Sequence, residues 1–306
     1  MRVFMTGATG FIGRALIPLL QREKHTVVVW ARSSTRARSL LGAGVDIVPA
    51  GGGVEPLAAE LGRCDAVVNL AGEPLLGGRW TARRRAALEA SRVELTGTLV
   101  RAIAMAPKRP RVMVSASAVG FYGDRGAEVL TESSSAGEDF LSALCQRWER
   151  AACGAQAHGV RVVLLRSGVV LGKGGGALAR MLPPFKLGAG GPIGSGRQYL
   201  PWIHLHDLVR VIAAALTDER YSGPVNGVAP EEADSRTFAR ALGRALHRPA
   251  VLPVPALALK MIFGEAATVL LASQRVEPRR LLERGFAFAF PTLDTALADI
   301  VGGTAR

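Results

Sequence analysis

MTGATGFIG, residues 5–13, sets Gly7, Gly10 and Gly13 between an apolar run and an amphipathic one. The preceding RVFM reads as a short buried strand and the following FIGRALIPLLQR as a helix, so the triplet sits at a strand-to-helix turn. In such a turn the first glycine permits the tight bend, the second lets the backbone approach a pyrophosphate, and the third lets helix pack on strand. The free N–H groups and the positive end of the helix dipole then face a diphosphate. A glycine triplet alone also fits a plain tight turn. Its place in the first βα unit points to a dinucleotide.

Outward from this turn, VVVWA, DIVPA, DAVVNLAG, RVMVSASA and RVVLLRSGVVLG are Val-rich runs separated by helical-period stretches at about 11–22, 35–41, 81–104 and 138–156. Near-continuous apolar strands alternating with helices predict an α/β domain, a doubly wound parallel sheet of the NAD(P)-binding Rossmann type. Beyond Gly172 the Gly- and Pro-rich run to about 202 reads as an excursion of loops and short helices on the substrate side. WIHLHDLVRVIAAALTDE returns to helix, and PVNGVAP reads as a further strand. The expected division is a Rossmann domain over 1–230 and a small, mostly helical C-terminal domain over 231–306.

Bulk composition removes several classes. With 49% apolar and 21% charged residues the chain is that of a globular protein, not a disordered one. MRVFMTG has no basic flank leading into a long apolar run, and the longest apolar stretches, VVLLRSGVVL and VLPVPALALKMIF, are interrupted by Arg166 or by prolines and Lys260. These features predict no signal peptide, no membrane span and a cytoplasmic protein. Cys64, Cys145 and Cys153 lack paired spacing, so neither a disulfide framework nor a zinc site is expected. The net charge of +13 comes from 38 basic residues, only five of them lysines. They are scattered without interleaved aromatics, so neither nucleic acid nor membrane is expected as a partner.

The residue that chooses between dinucleotides should stand about 20 positions beyond the glycines, at the tip of the second strand, where an acid would bind the ribose 2′-hydroxyl. This chain has Ala31, Arg32 and Ser33 there. A guanidinium instead forms charge-assisted bonds to a 2′-phosphate, which predicts NADP(H) as the cofactor. The alternative is that Arg32 is a solvated strand-end charge.

NLAG at 69–72 after the fourth strand resembles the extended short-chain dehydrogenase/reductase family. NLAGEPL, RWTARRRAALEASR, SAVGFYGD, CQRWE, GGPIGSGRQYLPWIHLHDL and LLASQRVEPRRLLERGFAF are similar to the atypical epimerase family branch, NAD-dependent epimerase/dehydratase-like. That branch ends in a C-terminal domain of unassigned role, here from about 251 to 300. The resemblance implies NADP(H) contacts from Gly7, Thr9, Gly10, Phe11, Ile12 and Gly13, from Ala31 and Arg32, and from Leu70, Ala71 and Gly72. It further implies contacts from Arg92 and Glu149. A helix-surface charge for Arg92 and a helical ion pair for Glu149 are the alternatives.

Members of this family usually carry a tyrosine and, four residues later, a lysine that lowers its pKa. Here Tyr122, Tyr199 and Tyr221 are followed at that spacing by Gly126, Ile203 and Val225. Aligning DFLSALCQRWE on Glu149 puts Leu141 and Cys145 in the two positions. Ser117, at a strand end, and Tyr122, just beyond it, are the candidates for the missing chemistry, or else they are hydroxyls that position the loop. His204 and His206 read as structural, since no third metal ligand is in view. Two functions stay open: an NADP(H)-dependent oxidoreductase or epimerase acting on a small-molecule substrate, and a non-catalytic NADPH-binding sensor or interaction module.

Overall fold

The computed structural model describes residues 1–302; the last four residues of the expected C-terminal domain lie outside them. Its strands are β1 (Arg2–Thr6), β2 (Thr26–Ala31), β3 (Asp46–Pro49), β4 (Ala66–Asn69), β5 (Val112–Ala118), β6 (Val129–Leu130), β7 (Arg161–Ser167), β8 (Val169–Leu171), β9 (Trp202–His204), β10 (Gly223–Gly227) and β11 (Arg275–Val276). Seven of them form one sheet in the order β3-β2-β1-β4-β5-β7-β10, every neighbouring pair parallel. The order reverses between β1 and β4. That gap is the topological switch point, where open α/β sheets bind ligands at their carboxyl edge.

Alternation along the strands fills both faces. Val3 and Met5 of β1 point into a cluster with Leu16, Ile17 and Leu20 of helix α1 (Phe11–Arg22) and with Leu208 and Ile212 of the helix Leu205–Thr217. Phe4 points the other way. It joins Leu57 and Leu61 of the helix Val54–Leu61, and Leu99 and Ile103 of the helix Leu95–Met105. The helix Val54–Leu61 has no counterpart in the sequence reading, because eight residues behind Gly51, Gly52 and Gly53 carry too little period to register.

Two further departures bear on the site. RVVLLRSGVVLG is two strands, since β8 breaks from β7 at Gly168 and pairs with β9 in a separate small sheet. A Cβ at Gly168 would lie 2.5 Å from the Pro201 carbonyl oxygen, so only glycine lets the chain leave the sheet there. The long helix expected at 81–104 is two α-helical segments, Ala82–Glu89 and Leu95–Met105, joined by a π-turn over Ala90–Glu94. π-turns insert one surplus residue and gather at functional sites.

The last strand of the main sheet ends at Gly227. Beyond it a third core joins Phe238 and Leu242 of the helix Ser235–Leu246 to Leu293 and Leu297 of the helix Leu293–Gly302, with Trp202 and Phe185 from the Gly- and Pro-rich excursion. Asp234 starts the first of these helices by accepting from the Thr237 N–H at 2.7 Å, and His247, at φ 52°, ends it in the left-handed conformation.

Candidate functional site: a dinucleotide groove over a buried polar network

The glycine turn behaves as its spacing requires. Gly7 has φ 66°, and a Cβ there would lie 2.5 Å from the Leu70 carbonyl carbon and 2.7 Å from the Ala71 nitrogen. A Cβ at Gly13 would lie 2.6 Å from the Cα of Ala8. Gly10 starts α1 with extended backbone and no side-chain cap, so the first-turn N–H groups of a 12-residue helix face the switch point. Thr9 and Ile12 are half-buried at this turn. The ring of Phe11 is enclosed by the loop 172–176: a Cβ at Gly175 would lie 2.4 Å from it and one at Gly176 2.9 Å. The excursion loop therefore folds over the entrance of α1.

Beneath the turn, a chain of buried polar groups locks the strand ends. Thr6 Oγ1 donates to Asn69 Oδ1 at 2.7 Å and accepts from the Ala71 N–H at 3.2 Å. Asn69 Nδ2 donates to Thr96 Oγ1 at 2.8 Å and to Ser115 Oγ at 3.2 Å, and the Trp148 indole N–H also reaches Thr96, at 3.0 Å. This network holds Leu70, Ala71 and Gly72 against the glycine turn. The sequence reading quotes Asn69 in its motif without assigning it this role.

Gly72 lies against Arg92, whose Cζ a Cβ there would meet at 3.2 Å, and just past the end of β2 stands Arg32, with 92% of its side chain exposed. Ala31 precedes it, half-buried. The nearest carboxylate to Arg32 is Glu73, with Oε1 at 3.9 Å, and Glu73 also pairs with Arg84 at 3.5 Å.

Arg92 sits within the π-turn and is buried. Its guanidinium donates to the Glu73 carbonyl at 2.8 Å and lies 5.3 Å from the Trp148 ring centre, while the Glu73 N–H is bound by Ser91 Oγ at 3.1 Å. Burial pulls the Arg92 pKa below its ordinary value. The side chain holds the 72–74 loop from below and is not a surface charge.

Ser117, Tyr122 and Glu149 meet in a second buried network with Arg166, Phe121, Asn226 and Glu132, none of them a candidate from the sequence alone. Ser117 Oγ donates to Glu149 Oε1 at 2.6 Å. Arg166 of β7 forks onto the same carboxylate, Nε to Oε1 and Nη2 to Oε2, both at 2.8 Å. Its Nη1 reaches the Tyr122 hydroxyl at 3.0 Å, and its plane stacks 3.5 Å from the Phe121 ring centre. The Tyr122 hydroxyl donates to Asn226 Oδ1 at 2.7 Å, and Glu132 accepts from the Asn226 N–H at 3.0 Å. Burial raises the Tyr122 pKa against the opposing pull of Arg166. Burial lowers the Arg166 pKa, but the bonds to Glu149 and the phenol outweigh it, and the net shift is upward. Both hydroxyls are thus committed inside the protein. Glu149 pairs with Arg166 across the fold and not with a neighbour on its own helix. Arg166 carries a signal: a charge set inside the apolar run VVLLRSGVVL requires a partner once buried.

Leu141 and Cys145 lie one turn apart on the helix Phe140–Cys153, and a Cβ at Gly120 would stand 3.5 Å from Leu141 Cβ and 4.0 Å from Cys145 Sγ. Leu141 packs with Trp80, Leu144 and Ala266 in an apolar cluster, and burial pushes the Cys145 thiol up to about 12. Neither can move a proton near neutral pH. His204 caps its own helix by accepting from the His206 N–H at 3.1 Å, while Nε2 faces Asp299 at 3.4 Å and the ring stacks on Phe290. No group of three metal-ligating side chains occurs among the described residues.

A seven-stranded parallel sheet with a glycine turn at its switch point defines the Rossmann class of α/β proteins. Within that class, the model of the NAD dependent epimerase/dehydratase family matches residues 3–226 and that of a domain of unknown function, DUF1731, matches residues 254–300. The chain belongs to the NAD dependent epimerase/dehydratase family. It is 44% identical over 306 residues to the Epimerase family protein SDR39U1 of Bos taurus, covering 98% of this chain and 100% of that one. The crystal structure of the human epimerase family protein SDR39U1 (isoform 2) with NADPH superposes with a TM-score of 0.90 at 41% identity, over 99% of each chain. A nucleoside-diphosphate sugar epimerase from Corynebacterium glutamicum gives 0.75 at 33% identity, over 99% of this chain and 58% of that one.

Proposed function

We propose that this chain binds NADP(H) in the switch-point groove and acts as an atypical oxidoreductase or epimerase on a small polar substrate. The observation that carries the reading is Arg32, an exposed guanidinium at the β2 tip beside a glycine turn that has no room for side chains. The cradle fits the cofactor: α1 offers uncapped N–H groups to a diphosphate, and Arg32 offers charge to a 2′-phosphate. The similarity to a human protein solved with NADPH supports the same choice. When bound, the nicotinamide supplies hydride transfer.

The chain's own residues supply the rest. Arg92 and Ser91 fix the 72–74 loop, and the Ser117, Glu149, Arg166 and Tyr122 network stiffens the floor of the cleft below it. Ser117 and Tyr122 act here by position, and the proton of any hydride exchange is carried by another group or by solvent. The same burial favours a second reading, a non-catalytic module that reports NADPH level. A metabolite panel followed by nicotinamide absorbance separates the two, since turnover of any compound rejects the sensor.

Arg32→Asp tests the cofactor site. Hydrogen bonds to charged groups contribute about 1.5–3 kcal/mol, so losing one removes roughly tenfold to a hundredfold of NADPH preference. Titration of NADPH and NADH should show the preference inverted. Unchanged relative affinities would show that Arg32 does not touch the extra phosphate.

A further inference from the structure

Charge is scattered in the chain as a whole but not in two segments that pack together. Residues 172–202 carry Lys173, Arg180, Lys186 and Arg197, residues 235–264 carry Arg236, Arg240, Arg244, Arg248 and Lys260, and neither contains an Asp or a Glu. Of these nine cations, only Arg244 has a carboxylate partner among the described residues, Asp294 at 2.6 Å.

The segments run side by side. The Leu252 N–H donates to the Gly190 carbonyl at 3.2 Å, Val254 N–H to Pro192 at 2.9 Å, and Arg248 Nε to the Lys186 carbonyl at 3.1 Å. The paired strip continues directly into the helix Ala256–Phe263, whose only buried residue is Leu259. On its open side Leu257, Lys260 and Met261 stand at i, i+3 and i+4. Leu187 is 85% exposed, Val251 73%, Leu257 68% and Met261 60%, and Leu252 and Ile262 are exposed as well. VLPVPALALKMIF, too interrupted to span a bilayer, thus turns Val251, Leu252, Leu257, Met261 and Ile262 toward solvent, with Arg248 and Lys260 beside or among them, and ends just before Glu265, which pairs with Arg85.

We propose that this face docks onto an anionic lipid surface, its aliphatic side chains entering the headgroup boundary while Lys186, Arg240, Arg248 and Lys260 meet the lipid phosphates. Stable peripheral attachment takes two signals, apolar insertion and basic attraction, and both are present. Nucleic acid accounts for the charge but not for the strip, because single strands stack on aromatic rings and the large exposed apolar residues here are all aliphatic. The interrupted apolar runs of the sequence argue against a spanning segment only. A surface-bound helix needs none.

Co-sedimentation of the whole protein with vesicles tests the proposal, using phosphatidylcholine alone and phosphatidylcholine mixed with phosphatidylglycerol, at low and high salt. The intact chain should pellet with the mixed vesicles, less so at high salt, and remain in solution with the neutral ones. Lys260→Glu should weaken partitioning by about fivefold or more, from roughly 1 kcal/mol per charge near the surface. The pair Leu257→Ser and Met261→Ser should weaken it by roughly tenfold. All three positions are exposed, so an unchanged melting temperature serves as the folding control. The proposal is overturned if the intact chain ignores anionic vesicles at low salt. It is equally overturned if binding follows charge alone, unmoved by the serine pair and matched by a single-stranded oligonucleotide.

Discussion

Glu149→Leu would leave the Arg166 guanidinium in a site where it now makes two 2.8 Å bonds to one carboxylate and a 3.0 Å bond to a phenol, with 5% of its side chain exposed. Breaking a buried pair from one side costs about 3–5 kcal/mol, because the surviving charge is uncompensated. Arg166→Met strands Glu149 in the same way, with only the Ser117 hydroxyl to solvate it. The double variant removes both charges in exchange for apolar groups of similar volume. It should recover most of the loss, falling short by about 1–2 kcal/mol for the hydroxyls left with fewer partners. Urea unfolding followed by tryptophan fluorescence gives the three values, with Trp148 one residue from Glu149 as a local reporter. A coupling of at least about 2 kcal/mol is expected between the sites. Additive single losses, or singles within about 1 kcal/mol of the parent, would refute the reading of Glu149 and Arg166 as one coupled, buried pair.

Two further outcomes follow from the same geometry. Glu73 stands 3.9 Å from Arg32 and 3.5 Å from Arg84, competing with any phosphate for both guanidinium groups, so Glu73→Gln should tighten NADPH severalfold by calorimetry with NADH nearly unchanged. Burial pushes the Cys145 thiol up to about 12 from 9.0. The unfolded chain then loses its proton first as pH rises, so this contribution to stability is intact below pH 9.0 and is lost between 9.0 and about 12. Denaturation midpoints should fall above pH 9.0, and Cys145→Ala should flatten that limb.

The sheet was legible because strands buried on both faces spell themselves as Val-rich runs, and the turn at Gly7 because no other residue has space there. The break at Gly168 was not. VVLL and VVL look alike as apolar runs, and what separates them is the Pro201 carbonyl, a partner more than thirty residues away. The networks were hidden for the same reason. Asn69 finds its bonds on β1, β5 and the helix Leu95–Met105, and Arg166 finds its own on three other segments, so no local window holds either set. Ser117 and Tyr122 read as strand-end and loop hydroxyls because spacing records where a residue lies along the chain and not which way its oxygen turns.

The π-turn at Ala90–Glu94 carries one residue more than a regular helix needs, and Arg92 falls within it. Removing that residue would let the backbone close into a regular helix with its flanking turns still facing as they do now, and the side chains inside the turn, Arg92 among them, would be the ones displaced. A single in-frame codon loss would therefore spare the element while unlatching the 72–74 loop.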